Sequence, residues 1–152
     1  MTNYLKTAYD DLISLIKAQY PRFKDPDRIQ IAMMNEDELE IEKSVLGYED
    51  CLILFTEDNA ETTSMILTSG KSIVDYTIKL LYCKPKLLRT RLDTISNFAE
   101  DLENWLKENY THRSGKWILL NVEVSYTVPK PSDYEGELYG FLMTINFTTA
   151  KY

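Results

Sequence analysis

The sequence holds a single histidine, His112, and only two cysteines, Cys51 and Cys83. With one imidazole there is no His-Glu-x-x-His pair and no cysteine–histidine cluster, so a zinc centre built from soft ligands is ruled out. A Ser-His-Asp triad would have to recruit His112, and no Gly-x-Ser-x-Gly elbow presents a nucleophile to it. His112 follows a helical stretch and reads as a structural residue beside exposed carbonyls. Long apolar runs are missing as well: none approaches the roughly 20 residues that span a bilayer. Met1 to Leu15 lacks the tripartite pattern of a signal peptide, which sets the expectation of a reducing compartment. Both thiols are then expected to be free and to behave as buried small hydrophobes. Basic residues are the minority, 17 against 24 acidic ones, giving a net charge of -7. That balance argues against nucleic-acid binding driven by net charge, because such binding needs Lys and Arg to neutralise phosphates.

A phosphate-cradling loop is also lacking. Ser69-Gly70-Lys71-Ser72 looks like the end of one, but the pattern needs a glycine five positions before Gly70, where Met65 stands. It also needs a helix afterwards, and Ser72 onward alternates as a strand. The segment reads as a hairpin turn in which Gly70 supplies a positive φ. Carboxylates are plentiful, yet Asp10 and Asp11 are neighbours on a helix and diverge by about 100°. Glu100, Asp101, Glu103 and Glu108 fall largely on the outer face of a second helix and read as solvated charge. Asn109-Tyr110-Thr111 and Asn146-Phe147-Thr148 match glycosylation acceptors, which carry no meaning without a secretory signal. No residue is assigned a catalytic, cofactor-binding or metal-binding role, and no cofactor is expected.

What is present is mostly periodicity. Lys116 to Tyr152 reads as two long strands forming a C-terminal hairpin. Leu120, Val122, Val124, Tyr126 and Val128 recur at every second position, and so do Phe141, Met143, Ile145 and Phe147 on the return strand. Earlier, Leu5, Ala8, Tyr9, Leu12, Leu15, Ile16 and Gln19 trace one face of a helix from about Asn3 to Tyr20, which Pro21 ends. Arg28 to Cys83 reads as β. Ile29, Ile31 and Met33 alternate, Asn35 to Glu38 turns, and Leu39 and Ile41 resume the alternation. Cys51 to Phe55 is a continuous apolar run, expected to be covered on both faces. Ser64 to Thr68 and Ile73 to Cys83 flank the Gly70 turn. Leu88, Leu92, Ile95, Phe98, Ala99, Leu102, Leu106 and Tyr110 form a second helical stripe, with Thr90 and Asp93 placed as a capping pair. The expectation is one α+β domain over residues 1–152: an antiparallel sheet with two α-helices packed on one face.

Charge is segregated along the chain. Glu36, Asp37, Glu38, Glu40 and Glu42 crowd one stretch, and Lys79, Lys84, Lys86, Arg89 and Arg91 another. These are either two solvated surfaces or complementary patches on neighbouring copies of a head-to-tail ring. Between the last strands, Pro129 and Pro131 stiffen a loop whose Tyr134 offers a large amphipathic side chain for a contact.

The element order resembles the tail terminator proteins of long-tailed bacteriophages. It runs from the helix Tyr4 to Tyr20, through the β block and the helix Arg91 to Tyr110, to the strand pair containing Tyr134-Glu135-Gly136-Glu137-Leu138-Tyr139-Gly140-Phe141. The resemblance implies a non-enzymatic structural protein of the virion neck, built in the host cytoplasm. It implies a homohexameric ring that caps the tail tube and docks the head, with tail-tube and head-completion proteins as partners. No membrane is involved, and DNA passes only as cargo. Under this reading Glu38, Glu40, Glu42, Lys84, Lys86, Arg89, Arg91 and Tyr134 are the expected interface residues. Two other classes stay open: a small enzyme with a carboxylate site assembled in three dimensions, and a non-viral adaptor that binds a partner through a sheet edge. Related head–tail connector and tail-completion proteins share similar size and composition and stay open as well.

Overall fold

A computed structural model describes residues 4–24, 28–31, 33–35, 38–40, 50–56, 61–66, 68–70, 72–84, 92–109, 118–126 and 139–151. Helix α1 spans Tyr4–Gln19 and buries Ala8, Tyr9, Leu12 and Ile16 along its three-four stripe, while Gln19 at its end is exposed. Pro21 lacks the N–H that would extend the helix. The chain instead tightens into a 3₁₀ turn over Pro21–Lys24, closed by the Phe23 amide donating to the Tyr20 carbonyl at 3.0 Å. That turn drives Phe23 wholly into the core.

The strands are β1 (Ile29–Ile31), β2 (Met33–Asn35), β3 (Glu38–Glu40), β4 (Cys51–Phe55), β5 (Glu61–Ile66), β6 (Ser72–Lys84), β7 (Ile118–Ser125) and β8 (Tyr139–Lys151). The main sheet runs β1-β4-β6-β8-β7, and β2 and β3 form a separate antiparallel pair. Strand β6 is the spine. One of its edges pairs with β8 from Ser72↔Lys151 to Lys84↔Tyr139. Its other edge is shared, with β5 opposite its first half and β4 opposite its second. Gly70 has a φ of 86° in the turn between β5 and β6, a conformation that costs glycine little.

Two expectations need correction. The sheet is mixed rather than wholly antiparallel, because β1 pairs in parallel with β4 through Ile29↔Leu52 and Ile31↔Leu54. A period of two is the same for either direction, so the alternation of Ile29, Ile31 and Met33 carried no information about it. That run is also split, with Met33 starting the separate hairpin. The second correction concerns β7. Its register against β8 slips between Leu119 and Asn121. One extra residue in a bulge reverses the facing of everything before it. Leu119 therefore packs on the core with Val122 and Val124, and Leu120 is left 51% exposed. Tyr126, past the end of β7, is exposed too.

Helix α2 (Leu92–Asn109) presents Ile95, Ala99, Leu102 and Leu106 to the same core as α1. Residues 88–91, with the expected cap Thr90, lie outside the described residues, as does the loop carrying Tyr134. The core is one cluster between the helices and one sheet face. It is built from Val74, Tyr76, Ile78, Leu80 and Tyr82 of β6 and from Phe141, Met143, Ile145 and Phe147 of β8. β4 is buried along its whole length. Leu52 and Leu54 join this core, so Cys51, Ile53 and Phe55 point the other way by strand alternation. The α+β architecture, with both helices on one face and the C-terminal strand pair, is as expected.

The other face of β7, β8 and the first part of β6 is mostly polar and partly exposed, whereas Leu81 and Cys83 near the end of β6 are fully buried on it. Thr77 donates to Asn146 Oδ1 at 2.7 Å, and Asn146 in turn donates to Asn121. Lys79 Nζ donates to Thr144 Oγ1 at 2.8 Å. Cross-strand pairs of this kind tie three strands in register.

Candidate functional site

The densest polar arrangement is centred on Asp50, the residue before β4. It is only 7% exposed, and an isolated carboxylate there would be costly. Three donors satisfy it. Arg22 Nε lies 3.1 Å from Oδ2, and the Tyr82 hydroxyl donates to the same oxygen at 2.9 Å. The Arg28 guanidinium bonds Oδ1, and its Nε also donates to the Asp50 carbonyl at 3.1 Å. Arg22 is 40% exposed and Arg28 19%, so the pair grades from wet to dry.

Aromatic rings wall this cluster. The Arg22 guanidinium carbon sits 4.5 Å from the Phe23 ring centroid and 4.7 Å from that of Phe98. Tyr82 meets Phe98 edge-on at 4.6 Å and stacks on Phe141 at 5.2 Å. Tyr20 lies 5.3 Å from Phe98 and donates its hydroxyl to Asp101 at 2.7 Å. Burial pushes the Tyr82 phenol well above its ordinary range. The Asp50 charge and the bond donated to it add to this, and Arg22 offsets only part. Tyr20 is raised for similar reasons, burial first and Asp101 next.

These contacts gather the end of α1, the 3₁₀ turn, and the starts of β1, β4 and β8 with the end of β6 and the middle of α2. Gly140 makes the approach of β8 possible: a Cβ there would lie 1.7 Å from the Tyr82 carbonyl oxygen. Asp50 already accepts from three side chains, so the arrangement acts as a clasp that fixes strand ends. Among the described residues no group of three or more His, Cys, Asp or Glu side chains is placed to hold a metal ion.

The expected interface residues are distributed differently. Glu38 and Glu40 lie on β3, and Lys84 is the last residue of β6, opposite Tyr139. Glu42, Lys86, Arg89, Arg91 and Tyr134 lie outside the described residues. No pairing joins β3 to the Lys84 end of the sheet among the described residues. The clasp itself had no sequence signal beyond an acid standing immediately before a continuous apolar run. Its partners are 22 to 32 positions away.

No protein-family model matches the chain, and no curated protein matches it either.

Proposed function

We propose that the chain is a structural virion subunit of the phage tail-terminator kind, forming a ring that caps the tail tube and docks the head. The observation that supports this most is the open sheet. Both helices occupy one face, and β7 ends the strand order with no partner on its outer side among the described residues. Ile118 and Leu120 of that strand are exposed, as is Ile31 on β1 at the opposite end of the sheet. An open, partly apolar edge is a pairing surface unless it is blocked. Two different sheet edges that are unpaired among the described residues suit a head-to-tail contact, and repetition of that contact closes a ring when the rotation allows. A net charge of -7 suits a channel through which DNA must slide without being held.

The adaptor reading uses the same edge and differs in stoichiometry, with one partner strand and no ring. Electron microscopy of purified tail tubes mixed with the protein tests the proposal. Density added at one end of the tube supports it. Tubes left bare at both ends, or decorated along their length, oppose it.

A further inference from the structure

Cys51 opens β4 and Cys83 stands one residue before the end of β6, and the register sets them directly opposite each other. In an antiparallel ladder, opposite residues have Cα atoms about 5.5 Å apart in hydrogen-bonded pairs and about 4.5 Å apart in the others. A disulfide accommodates Cα separations of about 4.4 to 6.8 Å, so either kind of pair fits without backbone movement. The two Cβ atoms leave the same face of the sheet. It is the face away from the helices, since the neighbouring pair Leu52 and Tyr82 belongs to the core. Both thiols are free and fully buried. A hydrogen bond with Cys51, reinforced by burial, holds the Cys83 thiol well above its ordinary range. The register thus sets the two side chains beside each other on that face.

We propose that Cys51 and Cys83 form a reversible cross-strand dithiol–disulfide couple, closed by small disulfide oxidants of the oxidised-glutathione type. One cysteine thiolate attacks a sulfur of oxidised glutathione, breaking its S–S bond and forming a mixed disulfide. The released glutathione thiolate takes up a proton. The second cysteine, deprotonated, attacks the protein sulfur of the mixed disulfide and expels the second glutathione, which is protonated in turn. Two electrons pass to the oxidant, the protein loses two hydrogen atoms, and two reduced glutathione molecules result. Burial, and the clasp that holds the adjoining residues Asp50 and Tyr82, make exchange wait for local opening or for refolding.

The couple stays open in a reducing compartment and closes in an oxidising one. Closure ties the same two strand ends that the Tyr82–Asp50 hydrogen bond already holds, on the opposite face of the sheet. The link closes a loop of about 30 residues, a length for which a rise in melting temperature of roughly 10 °C is expected.

The test refolds the full chain from urea into buffers of graded reduced and oxidised glutathione, so that burial cannot block exchange. Free thiols are then trapped by alkylation, followed by intact mass, peptide mapping and melting. The expected result is a single-chain product lighter by two hydrogen atoms, with a Cys51–Cys83 linked peptide and a higher melting temperature reversed by dithiothreitol. Cys51→Ser and Cys83→Ser should show no such rise. Two alkylatable thiols persisting when most glutathione is oxidised would overturn the proposal. So would a link between chains, or a linked form that melts below the reduced one.

Discussion

Replacing Asp50 with alanine removes the acceptor for three side chains at once, and the structure sets the size of the effect. Arg28 is mostly buried, and breaking a buried ion pair by deleting one partner costs about 3–5 kcal/mol. Arg22 is far more exposed, so its pairing adds only about 0.2–1 kcal/mol. The Tyr82 hydroxyl, in a side chain 3% exposed, loses its acceptor, and an unsatisfied buried donor costs about 1–3 kcal/mol. These contributions share one carboxylate and do not add, and relaxation of Arg28 toward water recovers part of them. A net loss of roughly 4 kcal/mol is expected, a large share of the roughly 5–15 kcal/mol that holds a typical domain folded. At about 2–4 °C per kcal/mol for a chain of this size, the melting temperature should fall by about 10 °C. Urea denaturation and calorimetry on Asp50→Ala, Tyr82→Phe and the double variant form a cycle. The double variant should cost less than the sum of the singles, because Tyr82→Phe removes the donor that Asp50→Ala strands. An Asp50→Ala chain within about 0.5 kcal/mol of wild type, the range of ordinary surface changes, would refute the clasp.

Gly140→Ala should destabilise the protein by more than about 3 kcal/mol and broaden its amide spectrum, because the new methyl overlaps the Tyr82 carbonyl unless β6 and β8 part; a stable, well-folded variant would contradict that packing. Alkaline pH should unfold the chain early. Tyr9 is pushed up to about 12 by burial, and Tyr82 is raised as well, whereas their unfolded counterparts titrate near 10. The stability these phenols contribute is complete below pH 10 and is lost as pH rises beyond it, because the unfolded chain releases its protons first, at about 1.4 kcal/mol per pH unit for each such group. Urea midpoints followed with phenolate absorbance should fall steadily from pH 10, and flat midpoints up to pH 12 would remove this account of the buried tyrosines. Reversing Lys84, Lys86 and Arg89 to Glu should weaken assembly at low salt. Reversing Glu38, Glu40 and Glu42 to Lys in the same chain should partly restore it. The effect should be cumulative, since each exposed pair is worth about 0.2–1 kcal/mol. Wild-type assembly by the triple reversal would reduce both stretches to solvated faces.

Much of the framework was legible because burial writes itself into sequence as a period. Phe141, Met143, Ile145 and Phe147 are all buried, and the unbroken run Cys51–Phe55 is covered on both faces, as its lack of polar positions required. What stayed hidden had no periodic trace. Strand direction leaves the alternation unchanged, so the parallel β1–β4 pair was invisible. The bulge beside Leu120 was masked because Ile118, Leu119 and Leu120 are all apolar and give the pattern no phase. The clasp draws Arg22, Arg28, Asp50 and Tyr82 from four separate segments, and a charged residue read in isolation defaults to solvent. Only the fold brings the two guanidinium groups to one buried carboxylate.

Assembly state is the most direct test of the functional proposal. Native mass measurement and sedimentation, at low salt, on the chain alone and with purified tail tubes, count the copies that associate. The account predicts a closed ring of several copies, six by the family resemblance, formed by the chain alone or once the tube is present. A chain that remains monomeric in both settings would contradict it.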